Sequence, residues 1–282
     1  MPKTNVTLRR PHAAGREKLP ASLRQARILA IFDRKGFASI AELAEEFGVS
    51  TMTVRRDLTV MDQRGLLERT HGGAVAVGTA QGVTDSVEPE FDLRRRDNED
   101  QKNWIARTAA ALVGPSESIG LDVGTSVLAL AEVLAARRDI RVLTNNLRVA
   151  MRLAEGNGTV YTVAGQIRSP EFSVFGPQAV AAIKSHFLDR VFVGVSGLDA
   201  DGFYDYSPED TEVKRAFMEN AGQVVVLCDA SKFGRRALSR IAPLERCDVI
   251  VTDNAPDDQL AQAIAAAGAR LIVASSRGSA AR

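Results

Sequence analysis

The ordered pattern at residues 23–77 constrains the fold of this chain more than any other feature. Apolar residues recur there at helical spacing in three successive segments. They are Ile28, Leu29 and Phe32 in the first segment, Ile40, Leu43, Ala44 and Phe47 in the second, and Val54, Leu58 and Met61 in the third. Gly48 permits a tight turn before the third segment, which Ser50 can cap. Two short strands joined by a Gly-Gly turn follow, so this region is predicted to be a winged helix-turn-helix.

The third helix of this motif carries residues suited to DNA. In winged helix-turn-helix folds this helix enters the major groove, where Arg can bond guanine through two N–H groups and Met can contact a thymine methyl. The predicted DNA contacts are Ser50, Thr51, Met52, Thr53, Arg55 and Arg56, within a helix-turn-helix from Ala38 to Asp57, together with Arg69 and His71 on the wing. Two alternatives remain, namely that the arginines are ordinary solvated charges or that the fold binds a protein.

Charge is distributed unevenly along the chain. Residues 1–76 hold 13 Lys and Arg but only 8 Asp and Glu, a net charge of +5, whereas the remaining residues have a net charge of −4. A basic N-terminal part favours an anionic partner, and double-stranded DNA fits the helix-turn-helix. Residues 1–20 are predicted to be a disordered basic arm, because they contain several basic residues and no apolar stretch.

A second region has a different pattern, in which strands and helices alternate. After a predicted linker at residues 78–91 and a charged helix at about 92–113, seven strands are predicted at 117–122, 140–144, 159–164, 190–195, 223–228, 248–252 and 270–274. Helices are predicted between them at 126–136, 146–154, 176–185, 210–221 and 257–267. This alternation predicts an α/β domain over residues 92–276 with a mostly parallel sheet. The winged helix-turn-helix is expected to occupy residues 21–77, before the linker and this domain.

Four segments of the α/β region follow strands or begin helices, where open sheets of this kind bind ligands. Gly124 lets the backbone approach an anion at a helix N-terminus. The candidate effector-binding residues are Asp122, Gly124, Thr125, Ser126, Thr144, Asn145, Asn146, Glu212, Lys214, Asp229 and Lys232. Backbone N–H groups, hydroxyls, lysines and carboxylates together suit a phosphorylated sugar or polyol better than an apolar ligand. Each segment could instead be ordinary turn or surface structure.

The N-terminal motif resembles the DeoR family of transcription regulators. The resemblance rests on residues 40–58, IAELAEEFGVSTMTVRRDL, and on residues 65–74, GLLERTHGGA. It implies a homo-oligomeric regulator, most often a repressor, that a phosphorylated sugar or related metabolite releases from its operator. It also implies a C-terminal sensor fold similar to ribose-phosphate isomerases and CoA transferases. In that fold, Asp122, Gly124, Thr125, Ser126, Thr144, Asn145, Lys214 and Lys232 would surround the effector.

The main alternative is a sugar-phosphate isomerase with an attached DNA-binding domain, in which Glu212 or Asp229 would be the general base. A transcription activator is a second alternative. The expected location is the cytoplasm, because no apolar run approaches the roughly 18 residues that span a bilayer and the first residues do not form a secretory signal. Cys228 and Cys247 are expected to be buried, reduced thiols. No Cys/His spacing suggests a metal, and no cofactor is expected.

Overall fold

The computed structural model describes residues 20–35, 37–63, 66–70, 73–76, 84–85, 88–156, 158–275 and 280–281. These residues divide into two compact units, Met1–Ala80 and Gln81–Arg282. Nearly all of the predicted basic arm, at residues 1–19, lies outside the described residues, as do 78–83 and 86–87 of the predicted linker.

The N-terminal unit is a winged helix-turn-helix. Its elements are α1 (Ala21–Lys35), β1 (Phe37–Ser39), α2 (Ile40–Phe47), α3 (Thr51–Gln63), β2 (Leu67–Thr70) and β3 (Gly73–Ala76). The strands form an antiparallel sheet in the order β1-β3-β2. The strand β1 was not predicted, because three residues are too few for an alternation pattern and their pairing partner lies about 36 positions along the chain.

Local sequence signals explain the boundaries of α2. The Ser39 hydroxyl accepts a hydrogen bond from the Glu42 backbone N–H, and the Glu42 carboxylate accepts one from the Ser39 N–H, which makes a reciprocal N-terminal cap. Gly48 ends the helix in the left-handed conformation, with φ +61°. The predicted apolar stripe of α3 is confirmed, since Val54, Leu58 and Met61 are all fully buried.

The C-terminal unit alternates strands and helices. In chain order it contains β4 (Thr84–Asp85), α4 (Phe91–Arg96), α5 (Glu99–Ala110), β5 (Ser118–Leu121), α6 (Thr125–Leu134), β6 (Arg141–Thr144), α7 (Leu147–Ala154), β7 (Thr159–Thr162), β8 (Gln166–Arg168), β9 (Ser173–Phe175), α8 (Pro177–Lys184), β10 (Arg190–Gly194), β11 (Gly197–Asp199), β12 (Gly202–Asp205), α9 (Pro208–Glu219), β13 (Val224–Leu227), β14 (Arg236–Ala237), β15 (Ser239–Ala242), β16 (Val249–Thr252), α10 (Asp258–Ala266), β17 (Arg270–Val273) and β18 (Ala280–Ala281).

Eight of these strands form one sheet in the order β18-β17-β16-β13-β10-β5-β6-β7. All of its pairings are parallel except the antiparallel pairing of β18 with β17. The predicted α/β class with a mostly parallel sheet is thereby confirmed. The chain runs outward from β5 through β6 to β7, and then returns to β10 on the other side of β5. The point between β5 and β10 is therefore where such a sheet binds ligands at its carboxyl edge.

The charged helix predicted at 92–113 is wrong as a single element. The chain breaks at Asn98, which adopts a left-handed conformation with φ +51°, and α4 and α5 lie on either side. Asn tolerates this conformation better than most residues. The ammonium group of Lys102 donates to the backbone carbonyls of Arg94 and Asp97, which gives these carbonyl groups at the C-terminal end of α4 a hydrogen-bond donor.

Apolar side chains fill both faces of the large sheet. Ile105, Leu121 and Val127 are fully buried in one cluster, and Val193, Phe203 and Phe217 are fully buried in the other. Cys228 and Cys247 are buried free thiols, as expected, and burial raises the pKa of Cys247 to about 12. None of the helices that the structure describes is both long and apolar enough to cross a membrane.

Candidate DNA-binding helix and effector site

The helix α3 presents a polar face to solvent. Ser50 accepts a hydrogen bond from the Thr53 backbone N–H through its hydroxyl and starts the helix. Of the predicted DNA contacts, Ser50, Thr51, Met52, Arg55 and Arg56 are exposed and Thr53 is partly buried. Met52 is 70% exposed. The helix therefore offers two guanidinium groups, hydroxyls and one thioether on a single accessible segment, which is chemistry that suits base edges and phosphates.

A buried ion pair anchors α3 to α1. The Nε of Arg24 lies 2.5 Å from the Asp57 carboxylate, and both side chains are less than a tenth exposed. Gln25 also donates to Asp57 at 3.3 Å. Asp57 stands within the predicted helix-turn-helix, but sequence reasoning gave it no role. The available signal was its position beside the apolar stripe, between Val54 and Leu58.

The wing is described only in part. The backbone of Arg69 belongs to β2 and pairs with Ala74, but its side chain is not among the described features. His71 lies outside the described residues. Contacts of Arg69 and His71 with DNA therefore stay predictions.

The effector candidates converge at the carboxyl edge of the large sheet. Asp122 follows β5, Asn145 follows β6 and Asp229 follows β13 by two residues, while Gly194 ends β10 between them. Neighbouring strands lie about 4.8 Å apart, so this edge brings polar groups from three of the four predicted segments into one row.

A close approach of two glycines shapes the loop after β5. Gly124, at φ +140°, precedes α6, and a Cβ atom built there would lie 3.6 Å from the Gly194 Cα. A Cβ atom on Gly194 would lie 2.8 Å from the Val123 carbonyl oxygen, which is too close for a side chain. Gly124 makes no side-chain hydrogen bond at the start of α6, so no N-cap side chain satisfies the first N–H groups of this helix. Thr125 is partly buried and Ser126 is buried beside them.

Lys214 lies at the centre of this edge and is 1% exposed. Its ammonium group donates to the Asp122 carboxylate and to the Gly194 carbonyl at 3.0 Å, and it lies 3.4 Å from Asp205. Burial would lower the pKa of Lys214, but the carboxylates of Asp122, Asp205 and Asp210 outweigh it and raise the pKa. Burial raises the pKa of Asp122 to about 7 despite the ion pair. The Asp122 Oδ1 is buried without a hydrogen-bond partner in the described structure, which fits that shift.

A contact between Lys214 and a phosphate stays a prediction, and the described structure shows this lysine paired within the protein. Its ammonium group is already surrounded by protein oxygens, so its visible role is to orient Asp122. Glu212 is exposed on the same helix, and the 200° rotation between positions 212 and 214 places it on a different face from Lys214. The structure therefore does not bring Glu212 to the sheet edge with the others.

The segment after β6 has mainly structural roles. Asn146 caps α7, because its Oδ1 accepts from the backbone N–H groups of Arg148 and Val149. Its Nδ2 donates to the Glu171 carbonyl at 3.0 Å. The Thr144 hydroxyl accepts from the Asn146 N–H. Asn145 differs, because its buried Oδ1 has no hydrogen-bond partner in the described structure.

The segment after β13 forms a second polar cluster. Asp229 accepts from the hydroxyl and N–H of Ser231 and, at 3.1 Å, from Asn98 Nδ2. Burial opposes ionisation of Asp229, but Lys232, Ser231 and Lys102 together lower its pKa. Lys232 is partly buried, and Lys102 is 5% exposed. Burial lowers the pKa of Lys102 to about 8, with Lys232 adding to that shift and Asp229 opposing it.

Sequence reasoning missed several charged residues and one asparagine near this edge. They are Glu88, Asn98, Lys102, Arg168, Glu171, Asp205 and Asp210. Asp210 and Lys214 stand four residues apart on α9, at the spacing that places two side chains on one helix face. That spacing of opposite charges was the signal in the sequence. The others become neighbours only through the fold.

Comparison with known proteins matches both units to described families. A model described as the DeoR-like helix-turn-helix domain matches residues 24–80, and one described as the DeoR C terminal sensor domain matches residues 97–254.

Curated relatives match over most of the chain. The transcriptional repressor AccR of Agrobacterium fabrum is 35% identical, over 82% of this chain and 89% of that protein. The glycerol-3-phosphate regulon repressor of Haemophilus influenzae is 33% identical, over 84% and 91%. Ribose 5-phosphate isomerase A of Methanocaldococcus jannaschii is 19% identical, with a TM-score of 0.37, over 49% of this chain and 55% of that one. Because the sensor model alone covers more than half of the chain and AccR aligns along most of both proteins, the chain belongs to the DeoR family of transcription regulators.

Proposed function

We propose that this chain is a cytoplasmic, homo-oligomeric repressor that leaves its operator when a phosphorylated sugar or polyol binds at the carboxyl edge of the sensor sheet. Two relatives carry the name of repressor, and one of them is named for the glycerol-3-phosphate regulon. The exposed Arg and Thr residues of α3 support the DNA half of the proposal. The polar sheet edge supports the effector half.

The proposed DNA contacts divide by chemistry. Arg55 and Arg56 bond guanine edges or phosphates, Met52 contacts thymine methyl groups, and the hydroxyls of Ser50, Thr51 and Thr53 bond phosphates or bases. Arg69 and His71 contact phosphates or the minor groove from the wing. One winged helix covers a short half-site, so specific binding calls for at least two copies of the chain on repeated half-sites.

One observation carries the effector half. Asp122 Oδ1 and Asn145 Oδ1 are buried acceptors without partners in the described structure, and they follow adjacent strands. A buried acceptor without a donor is costly, and sugar or polyol hydroxyls are donors of suitable chemistry. The backbone N–H groups of Thr125 and Ser126 at the start of α6 are placed for a phosphate, with Lys232 as a nearby cation.

The enzyme alternative gains no support from these positions. Glu212 is exposed away from the sheet edge, and the lowered pKa of Asp229 makes it a weak base at neutral pH.

A ligand screen tests the effector half directly. We expect glycerol 3-phosphate, ribose 5-phosphate or a related sugar phosphate to raise the melting temperature of the full chain. Glycerol, ribose and inorganic phosphate should each do so far less, because none supplies both the phosphate and the hydroxyls. Asn145→Ala should lose most of the shift, whereas Glu155→Gln, on the exposed end of α7, should keep it. Equal shifts with sugars and sugar phosphates would contradict the assigned ligand class.

A DNA-binding assay tests the other half. Duplexes selected by the wild-type chain from random sequence should contain repeated half-sites, and the active sugar phosphate should weaken their binding. Light scattering on the free and bound protein should show more than one copy of the chain. A monomer on DNA, or an affinity that no sugar phosphate lowers, would contradict this part of the proposal.

A further inference from the structure

The segment Glu88–Lys102, here named the strap, is the first continuously described part of the sensor unit. It begins 12 positions after Ala76, the last residue of β3 in the DNA-binding unit. It comprises α4, the break at Asn98 and the start of α5. Any influence that passes along the chain between the two units passes through it.

Charged side chains attach the start of the strap to the sensor unit. The Glu88 carboxylate pairs with Arg94 at 3.0 Å and with Arg168 at 2.8 Å. Arg94 also pairs with Glu171, and Arg168 also pairs with Asp210. Three carboxylates and two guanidinium groups therefore form one network. Asp210 and Glu171 are almost completely buried, so the network is well shielded from solvent and salt.

Two residues join this network to the candidate effector site. Asp210 lies one helical turn from Lys214 on α9, and Lys214 holds Asp122. The carbonyl of Glu171 accepts from Asn146 Nδ2, and Asn146 follows Asn145. A ligand that displaces Asp122 or Asn145 therefore acts on residues that hold Arg168 and Arg94.

The rest of the strap has two further attachments. The Arg148 guanidinium lies 4.3 Å from the ring centre of Phe91 in the strap and 4.7 Å from that of Phe172. Asn98 donates to Asp229 at 3.1 Å. The charged network, the Arg148 contact and the Asn98 hydrogen bond therefore all end beside candidate effector segments.

We propose that the attached strap holds the DNA-binding arrangement and that effector binding loosens it. This inference rests on the proposed function and adds the element that carries the signal. An anionic ligand beside Asp122 competes for the Lys214 charge, and its hydroxyls compete for Asn145. The change at Lys214 reaches the Glu88 network through Asp210, one helical turn away on the same helix. The change at Asn145 reaches it through the hydrogen bond from the next residue, Asn146, to the Glu171 carbonyl. An effector can shift this equilibrium only because its contacts differ between the attached and loosened arrangements.

The test uses Glu88→Gln in the full chain, with Glu117→Gln as a matched control. Glu117 also pairs with an arginine, Arg190, at 2.6 Å, but it stands before β5, at the opposite end of that strand from Asp122. We expect Glu88→Gln to speed hydrogen–deuterium exchange of amides in the strap at least tenfold. We also expect it to weaken binding to the selected duplex by about 5-fold or more without any ligand. Glu117→Gln should change neither the amide exchange rates in the strap nor the affinity for the duplex by more than twofold.

A second variant guards against a general loss of folding. Asn98→Gly removes the hydrogen bond to Asp229 while Gly readily adopts the left-handed backbone at this position. It should also speed exchange in the strap and weaken DNA binding, with the circular dichroism of the folded chain retained. Arg168→Lys should fall between the wild type and Glu88→Gln, because it keeps the charge but loses the paired donors.

The outcomes separate this inference from the proposed function. Suppose that glycerol 3-phosphate or ribose 5-phosphate releases the wild-type protein from the duplex. If Glu88→Gln and Asn98→Gly then bind DNA and respond to the ligand as the wild type does, the strap inference is overturned and the proposed function stands. If both variants weaken DNA binding but no sugar phosphate acts, the strap does hold the DNA-binding arrangement, whereas the ligand class and its loosening of the strap are wrong. Faster exchange in the strap with unchanged DNA affinity also overturns the inference.

Discussion

Lys214 on α9 and Asp122 at the end of β5 form an ion pair that is almost completely buried, although they lie 92 residues apart in the chain. The Asp205 carboxylate lies 3.4 Å from the same ammonium group. The pair lies at the carboxyl edge of the sheet, at the point where the strand order reverses. Its removal should therefore affect stability as well as ligand binding.

Lys214→Met should destabilise the sensor unit by about 3–5 kcal/mol, because it leaves Asp122 and Asp205 buried without their cation. The double variant Asp122→Asn with Lys214→Met should lose less stability than Lys214→Met alone. Urea unfolding measures both. Lys184→Met, at an exposed lysine 3.8 Å from Glu219, is the control and should stay within about 0.5 kcal/mol. A small effect of Lys214→Met would show that the pair contributes little.

Lys102 should give the protein a distinctive pH dependence. Its pKa falls from 10.5 to about 8 on folding, chiefly because of burial. Between pH 8 and 10.5 the unfolded chain holds a proton that the folded chain has lost, so this group's contribution to stability rises with pH. The free energy of unfolding of wild type relative to Lys102→Met should therefore rise from pH 8 to pH 10. A difference that does not change with pH would contradict the lowered pKa.

Arg56→Ala should weaken binding to the selected duplex by about 1–3 kcal/mol if its guanidinium contacts a base edge. The side chain is exposed on α3, so the folded unit should be preserved. Arg107→Ala, at an exposed position on α5, removes the same charge from the sensor unit and serves as the control. Fluorescence anisotropy measures both variants. Equal losses in the two would indicate an effect of overall charge and remove Arg56 from the proposed contacts.

Gly194→Ala should impair the effector site. The new Cβ atom would meet the Val123 carbonyl at 2.8 Å and push the loop that begins α6. We expect the melting-temperature shift with the active sugar phosphate to disappear while binding to DNA is retained. Gly158→Ala, whose Cβ atom would lie an ordinary 3.4 Å from the Arg137 carbonyl, should keep the shift. A normal ligand response in Gly194→Ala would place the ligand elsewhere.

Local patterns in the chain determined much of this architecture. The spacing of Val54, Leu58 and Met61 predicted the buried face of α3, because one face of a helix repeats every three to four residues. The seven predicted strands of the large sheet are its seven parallel strands, since apolar runs bounded by turns are local features. The order of strands and helices predicted that Asp122, Asn145 and Asp229 follow strands, and the resemblance to a known sensor fold implied that their segments meet.

The tertiary structure decided what the charged residues do. The same Lys214 that looked available for a phosphate contacts Asp122, which lies 92 residues away in the chain, as well as Asp205 and Gly194. At the break between α4 and α5, Asn98 donates a hydrogen bond to Asp229, which lies 131 residues away in the chain. The reason is physical: helical and strand periodicity reflect neighbours along the chain, whereas the state of a buried charge depends on the groups that folding brings within a few ångströms.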